Sequence, residues 1–192
     1  MTNRLVFEWE GFQVPQAPLW VFGYGSLMWN PDFEYDETYH ALLHGYHRKF
    51  CIYSVRYRGS YERPGLVLGL HAGGRCRGIA FRVPLPLVQE TLKLLWAREM
   101  PRGVYVPRYV PIRLSGKYSP VMALTFVANT LHEHFVPELP QEQAALLIAN
   151  ASGERGANAE YLQQTLDQLE RLGVRDKKLE QLAHEVEQIQ TT

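Results

Sequence analysis

Strand-like patterns fill the first two thirds of this 192-residue chain, and helical patterns fill the last third. One amphipathic helix interrupts the strands and is predicted to open at Pro84 and to end near Met100. Its apolar face is formed by Leu85, Val88, Leu92, Leu95 and Trp96. Strands followed by a separate group of helices are typical of α+β proteins. The sequence therefore predicts an α+β fold with an antiparallel sheet or a small barrel.

The strand regions are separated by glycine- and proline-containing breaks. Two of these breaks, at Gly45 and at Gly73-Gly74, interrupt longer alternating segments and predict hairpins. The predicted strand regions are Leu19–Tyr24, Glu37–Ser54, Leu66–His71, Gly78–Val83, Val104–Leu114 and Val121–Val127.

Three helices are predicted in the last third of the chain. The first follows Pro140. The second is predicted to be capped by Asn158 and closed by Gly173, because asparagine is favoured at helix starts and glycine just past helix ends. The third is predicted to be capped by Asp176.

The N-terminal 18 residues differ from the rest of the chain. They lack periodicity and contain Pro15 and Pro18, which predicts an arm over residues 1–18. Residues 19–192 are predicted to form a single domain, because this length can bury a full core without metals or disulfides.

The charge balance argues against partners that bind through a strongly basic surface. The chain has 20 basic and 20 acidic residues, so its formal net charge is zero at pH 7. No basic field therefore exists to attract nucleic acid or an anionic membrane, and no stretch has the pattern of a signal peptide or a membrane span. These features predict a cytoplasmic protein in which Cys51 and Cys76 are thiols, a disulfide being the alternative.

The run Val21–Trp29 joins an apolar strand to a turn with two glycines, a serine and flanking aromatics. Gly25 can adopt a positive φ or let a ligand approach the backbone, and the following amides can point at one anionic oxygen. The Gly23-x-Gly25 spacing resembles the start of a dinucleotide-binding fingerprint, but Met28 stands where the third glycine belongs, which disfavours that site. A phosphate-binding loop is also disfavoured, because no Lys-Ser or Lys-Thr pair follows. Ser26 lacks a nucleophile elbow, which favours a hydrogen-bonding role. The alternative is a plain strand-to-loop turn.

Glu99 is the candidate acid/base. It lies at the predicted end of the helix, between Arg98 and Met100 and near the apolar face. Partial burial there would make the carboxylate a better base near neutral pH. The alternative is a solvated helix-end glutamate paired with Arg98.

Other side chains could bind a ligand. Arg56, Arg58 and Arg63 lie in one loop, where a guanidinium fork suits a carboxylate, and a solvated loop face is the alternative. Tyr105 and Tyr161 could offer hydroxyls, although each alone is typical of a core or surface aromatic.

The histidines do not form a convincing metal site. His44 and His47 have metal-like spacing, as do His132 and His134. Neither pair has the surrounding cysteine or carboxylate pattern of a zinc site, so no metal is predicted.

Six fragments of the chain, taken in order, form a recognisable set. They are Tyr24-Gly25-Ser26-Leu27-Met28-Trp29, Gly45-Tyr46-His47-Arg48-Lys49-Phe50, Arg58-Gly59 with Pro64-Gly65, Gly78-Ile79-Ala80-Phe81-Arg82, Arg98-Glu99, and Asn158-x-Glu160-Tyr161-Leu162. This set resembles the motifs of one family, the ChaC type of γ-glutamylcyclotransferase, and the resemblance covers roughly residues 19–182. Six ordered motifs are far more specific than any one of them, so they favour a functional role for the turn and for Glu99 over the purely structural alternatives.

The resemblance implies a γ-glutamylcyclotransferase-like fold: a small, mixed, barrel-like sheet flanked by helices, with C-terminal helices. It implies a carbon–nitrogen lyase that converts glutathione into 5-oxo-L-proline and L-cysteinylglycine, without a metal, an organic cofactor or an obligate protein partner. By position in the motifs, Glu99 is the implied acid/base. The residues expected to contact substrate are Tyr24, Gly25, Ser26, Leu27, Arg58, Tyr105 and Tyr161. The family often has an aromatic before the Arg-Glu pair, where this chain has Ala97.

Two alternatives stay open. The first is an enzyme of the same scaffold that acts on other γ-glutamyl amino acids or γ-glutamylamines; the loop from Arg56 to Gly65 discriminates, because glutathione carries a distant glycine carboxylate. The second is a non-enzymatic cation-transport regulator or binding protein. The presence of Glu99 weighs against that second alternative.

Overall fold

The computed structural model describes residues 6–9 and 11–191. The chain forms two compact units and changes unit three times, each time within a strand. The first unit comprises the residues up to 46 together with 73–127, and the second comprises residues 47–72 and the residues from 128 onward.

Nine strands and four α-helices make up the described part of the chain, together with two short 3₁₀-helices, Ser26–Met28 and Leu85–Leu87. The strands are β1 Val6–Trp9, β2 Phe12–Pro15, β3 Leu19–Gly23, β4 Glu37–Ser54, β5 Gly65–Val83, β6 Tyr105–Leu114, β7 Val121–Ala128, β8 Ser152–Gly153 and β9 Gly156–Ala157. The helices are α1 Val88–Glu99, α2 Gln141–Asn150, α3 Asn158–Arg171 and α4 Lys177–Thr191.

Five strands close into a barrel in the order β3-β5-β4-β6-β7. β3 runs antiparallel to β5, with Val21 opposite Phe81, and parallel to β7, with Val21 opposite Leu124. β4 runs antiparallel to β6, with Leu43 opposite Ile112. Closure leaves these strands without an unpaired edge. The predicted α+β fold, with a small mixed barrel and C-terminal helices, is confirmed.

The two predicted hairpins are wrong. β4 continues through Gly45, and β5 continues through Gly73 and Gly74. All three glycines have positive φ, at 86°, 95° and 72° respectively. Glycine adopts these angles without a steric cost, so the backbone can depart locally from regular strand geometry while pairing continues on either side. β4 and β5 then pair with each other in the barrel.

The helix predicted to open after Pro84 is confirmed as α1. Its buried face carries Val88, Leu92, Leu95 and Trp96, and it packs in a cluster with barrel residues. Leu85 precedes the helix and is 47% exposed, so its predicted place on the buried face is wrong. The short 3₁₀-helix that follows Pro84 rotates Leu85 off the apolar stripe.

Part of the predicted N-terminal arm forms a hairpin. β1 and β2 pair antiparallel, with Trp9 opposite Phe12. Val14 is fully buried in the core cluster of the first unit, and Trp9 and Phe12 pack against that cluster. Residues 1–5 and 10 of the arm lie outside the described residues, and the division into an arm and a single domain remains a prediction.

Helices α2, α3 and α4 pack against one another in the second unit. The predicted cap at Asp176 is confirmed, because its carboxylate accepts a hydrogen bond from the backbone N–H of Leu179 at 3.2 Å. The predicted Gly173 terminator is also confirmed, because Gly173 follows the C-cap Leu172 of α3 and has a φ of 64°.

Asn158 has a different task from the predicted cap. It is the first residue of α3, and its side chain makes no capping hydrogen bond. Its amide instead pairs with the backbone of Leu66: it accepts from the N–H at 2.6 Å and donates to the carbonyl oxygen at 2.7 Å. The side chain therefore serves as a substitute strand partner for the start of β5.

Replacing Asn158 by alanine should strongly destabilise the fold. The change leaves two buried backbone groups of Leu66 without their partner, at a cost of about 1–3 kcal/mol for each. Chemical denaturation should show the loss in the free energy of unfolding. The matched control is Asn150→Ala, because Asn150 is exposed and donates one bond to Leu146. Equal losses in both variants would contradict the assignment.

The cysteines are buried and neither forms a disulfide, as predicted. Burial raises the pKa of the Cys51 thiol to about 11. Cys51 therefore stays protonated near neutral pH, since a thiol ionises only as the pH approaches its pKa. Among the described residues, no helix has the length and apolarity needed to span a membrane.

Candidate active site

The turn after β3 is a short 3₁₀-helix. Gly25 precedes it with φ of −129° and ψ of −133°, so this glycine does not use the positive φ that the sequence allowed. Its carbonyl oxygen accepts the N–H of Met28 at 2.8 Å. The first amides of such a helix, those of Ser26 and Leu27, have no acceptor inside the turn. These are the backbone groups that can face an anionic oxygen.

Side chains of the turn fix it to the core of the first unit. The Tyr24 hydroxyl donates to the carbonyl oxygen of Phe126 at 2.8 Å, and both residues are buried. Leu27 is buried in the same cluster as Trp96. The side chains of Tyr24 and Leu27 therefore anchor the turn, which leaves their main chain as the part suited to contact a ligand.

Glu99 is the last residue of α1, as predicted. Its side chain is only 15% exposed, and its Oε1 lies 3.1 Å from the Nε of Arg98. The carboxylate is thus paired but shielded, which differs from the solvated helix-end glutamate that the sequence also allowed.

Arg98 is the residue that sequence reasoning missed. Its side chain is 8% exposed. Its Nη2 donates to the Ser26 hydroxyl at 2.8 Å, and its Nη1 donates to Asp32 at 2.8 Å and to the carbonyl oxygen of Asn30 at 2.6 Å. One guanidinium therefore joins the turn after β3 to Glu99. The signal in the sequence was the position of Arg98 directly before Glu99 in the Arg-Glu motif, although the motif was interpreted only through its glutamate.

Tyr105 belongs to the same unit. It is the first residue of β6 and packs against the core cluster that contains Leu27 and Trp96. The turn residues, Glu99 and Tyr105 therefore belong to the same unit.

Arg58 and Tyr161 lie in the second unit. The Arg58 guanidinium carbon is 5.5 Å from the centroid of the Tyr161 ring. Nη1 of Arg58 donates to the carbonyl oxygen of Ala157 at 2.9 Å and lies 3.7 Å from Glu160. The side chain is 11% exposed, and burial lowers the pKa of the guanidinium below its ordinary value. A cation on a tyrosine face is held by both charge and stacking.

The other two loop arginines differ from Arg58. Arg56 and Arg63 are exposed, and Arg56 pairs with Glu154 at 2.7 Å. The loop backbone is tightly packed at Gly65, where a Cβ would overlap the carbonyl oxygen of Arg58. Of the three arginines, only Arg58 therefore has a side chain that is largely shielded from solvent.

The histidine pairs do not gather metal ligands. Among the residues that the structure describes, no group of three or more His, Cys, Asp or Glu side chains could hold a metal ion. The His132 and His134 rings lie edge to face with centroids 5.0 Å apart, and the backbone N–H of His134 donates to Nδ1 of His132.

Comparison with known proteins gives a consistent set of relatives. The family model described as ChaC-like protein matches residues 19–189. A glutathione-specific γ-glutamylcyclotransferase of Escherichia coli is 38% identical over 174 residues, which cover 91% of this chain and 75% of that protein. Glutathione-specific γ-glutamylcyclotransferase 1 of Homo sapiens is 36% identical over 164 residues, covering 83% of this chain and 72% of that protein.

A solved structure has the same fold. The γ-glutamylcyclotransferase specific to glutathione from yeast superposes with a TM-score of 0.81 at 21% identity, and the superposition covers 91% of this chain and 100% of the yeast chain. At this identity the likeness concerns the fold alone.

Proposed function

This chain belongs to the ChaC-like protein family, and from this premise we propose that it cleaves glutathione by intramolecular cyclisation, releasing 5-oxo-L-proline and L-cysteinylglycine. The observation that carries the proposal is the shielded carboxylate of Glu99, joined through Arg98 to the turn after β3. The relatives named as glutathione-specific enzymes support the choice of substrate.

The reaction needs little chemistry beyond positioning and proton transfer. The α-amine of the γ-glutamyl group attacks its own γ-carbonyl carbon and closes a five-membered lactam. The bond between that carbon and the cysteine nitrogen breaks, and no water is consumed. Holding the substrate in the folded conformer supplies much of the rate, because the reacting atoms already belong to one molecule.

Glu99 is proposed to carry the proton. Its carboxylate takes a proton from the substrate ammonium, which frees the amine lone pair for attack. The protonated carboxyl group then returns this proton to the departing cysteine nitrogen. The ring nitrogen, which still carries one extra proton after the attack, passes it to the same departing nitrogen through the Glu99 carboxylate, so that 5-oxoproline leaves as a neutral lactam and cysteinylglycine leaves as an ammonium. The substrate amine supplies the nucleophile, so no nucleophilic side chain is required.

The turn after β3 is proposed to hold the oxygen atoms of the γ-glutamyl group. The amides of Gly25, Ser26 and Leu27 can bind either the α-carboxylate or the carbonyl oxygen that gains charge during ring closure. Tyr24 contributes by anchoring this turn through Phe126, and Ser26 also offers its hydroxyl.

Three further residues are proposed to contact substrate. Arg58 is proposed to bind the glycine carboxylate of glutathione, because it is a shielded guanidinium and such groups pair well with carboxylates. Tyr161, beneath it, and Tyr105, at the start of β6, are proposed to offer their hydroxyls.

The proposed setting is the cytoplasm. Thiols such as Cys51 persist in reducing compartments. The zero net charge gives no basic field toward nucleic acid or an anionic membrane. We propose glutathione as the partner, with no obligate protein partner.

Activity should be independent of metal ions. None of the proposed steps needs a Lewis acid, and no convincing ligand set was predicted. Dialysis against a strong chelator should leave the rate of 5-oxoproline release unchanged. Loss of activity on chelation, with recovery by one divalent ion, would contradict this and bring the histidine pairs back into consideration.

A substrate panel tests the proposal. Purified protein should release 5-oxoproline from glutathione, and much less from γ-glutamylcysteine and γ-glutamylalanine, which lack the glycine end. Comparable or higher rates on the two smaller substrates would instead indicate an enzyme for other γ-glutamyl compounds. No release from any of them would contradict an enzymatic role.

A further inference from the structure

Asp32 has an unusual backbone conformation. Its φ is 58°, and it is the only non-glycine residue with a positive φ among residues 6–9 and 11–191. L-residues avoid this region because of steric contact between the Cβ and the backbone, although aspartate tolerates it better than most. Such outliers persist only where surrounding contacts hold them, and they cluster at functional sites. The contacts of Asp32 therefore identify what holds it.

The Asp32 carboxylate points at the residue beside Glu99. Its Oδ2 accepts from Nη1 of Arg98 at 2.8 Å and from the side-chain amide of Asn30 at 3.2 Å. The Asp32 side chain is half exposed, whereas that of Arg98 is almost fully shielded. An ion pair of this kind is fixed at its arginine end, which distinguishes it from a mobile surface pair.

Four acceptors surround the Arg98 guanidinium. Asp32 and the carbonyl oxygen of Asn30 share Nη1, the Ser26 hydroxyl bonds Nη2, and Glu99 faces Nε. A guanidinium is planar and its N–H groups point in fixed directions. Contacts at both terminal nitrogens therefore fix the plane, and with it the direction in which Nε meets the Glu99 carboxylate.

We propose that Arg98 is a positioning residue for ring closure and that Asp32, in its left-handed conformation, anchors it. Arg98 holds the Glu99 carboxylate in a set position relative to the turn after β3, so that the base is aligned with the ammonium of the bound substrate. Asp32 acts only through Arg98. This inference rests on the proposed function, because it assigns the alignment of that same site.

The consequence is a specific kinetic pattern. A group that aligns the base without touching substrate should affect the chemical step and leave substrate affinity unchanged. A misplacement of the reacting groups by about 1 Å can cost on the order of a hundredfold in rate. Loss of the anchor should therefore lower kcat and leave KM close to its original value.

The test uses three single variants of the full chain, one double variant and one control. Asp32→Asn removes the charge of the anchor with little change in shape. Arg98→Lys keeps the charge but removes the planar fork. Asp32→Gly removes the carboxylate and also relieves the left-handed backbone. The control is Asp36→Asn, because Asp36 forms an ion pair of the same type, 2.7 Å from Arg82, in the same unit.

Each of the three variants should lower kcat for glutathione by roughly tenfold to a hundredfold, with KM changed by less than about twofold. Asp36→Asn should stay within about twofold of the original protein, as expected for a partly exposed pair. The double variant Asp32→Asn/Arg98→Lys should be about as slow as Arg98→Lys alone, because coupled residues are not additive.

Asp32→Gly separates alignment from stability. Relief of the positive φ should keep the melting temperature at or above the original value while kcat still falls. Three results would each overturn the inference. The first is a kcat in the Asp32 or Arg98 variants equal to that of Asp36→Asn. The second is an increase in their KM with kcat unchanged, and the third is additive effects in the double variant. Failure of the unaltered protein to release 5-oxoproline would instead contradict the proposed function itself.

Discussion

Replacing Glu99 by glutamine should lower the turnover of glutathione by about 10²- to 10⁴-fold, the usual contribution of a general acid–base. Glutamine keeps the size of the side chain, and its carbonyl oxygen can still accept from the Nε of Arg98. The change therefore removes the base and leaves the packing of the α1 end intact. The measurement is kcat from 5-oxoproline release, with circular dichroism and a melting curve to confirm that the variant is folded.

The matched control for this experiment lies on the same helix. Glu90 is in the first turn of α1 and forms an exposed pair with Lys93 at 3.5 Å. Glu90→Gln should therefore retain nearly normal turnover. A folded Glu99→Gln protein that is as active as Glu90→Gln would exclude Glu99 as the acid/base.

Replacing Arg58 by alanine should produce a loss that depends on the substrate. A charge-assisted hydrogen bond contributes about 1.5–3 kcal/mol, which corresponds to roughly tenfold to a hundredfold in kcat/KM. The full loss should appear with glutathione, because its glycine carboxylate is the proposed partner of Arg58. The C-terminal amide of glutathione lacks that charge and should show a much smaller loss. The comparison requires kcat/KM for both substrates with both proteins.

A second arginine of the same loop provides the control. Arg56 is exposed and paired with Glu154, so Arg56→Ala should change neither substrate by more than about twofold. Equal losses on glutathione and its amide with Arg58→Ala would mean that Arg58 supports the loop. Its hydrogen bond to Ala157 and its place on the Tyr161 ring are the contacts that such a structural role would use.

Local patterns predicted much of the fold. The apolar spacing of Val88, Leu92 and Leu95 predicted α1, because a helix places residues three and four apart on one face. The short apolar run at Leu19 predicted β3 in the same way. The cap at Asp176 depended on chemistry within one turn, and it is confirmed.

Long-range pairing could not be read from the sequence. A glycine with positive φ serves equally well in a hairpin turn and within a continuous strand, so Gly45 suggested a reversal where β4 runs on. The parallel pairing of β3 with β7 joins residues about a hundred positions apart, and no local signal specifies it. Asn158 illustrates the same limit, because its partner Leu66 lies 92 positions away.

The sequence predicted the separate residues of the candidate site but not the hydrogen bonds that join them. The turn from Tyr24 to Leu27 and the carboxylate of Glu99 stood out through turn chemistry and position, and both became specific through the family motifs. The link between them is Arg98, which bonds Ser26 across 72 positions. The left-handed conformation of Asp32 could not be predicted from the sequence either, because aspartate adopts ordinary backbone angles in most contexts.

The most direct test of ring closure follows the oxygen atoms of the products. Glutathione should be incubated with the protein in water enriched in ¹⁸O, and the products analysed by mass spectrometry. Intramolecular cyclisation predicts equal amounts of 5-oxoproline and cysteinylglycine, with no ¹⁸O in either, because water takes no part. Glutamate carrying ¹⁸O would indicate hydrolysis and would contradict the mechanism, and unchanged glutathione would contradict the activity.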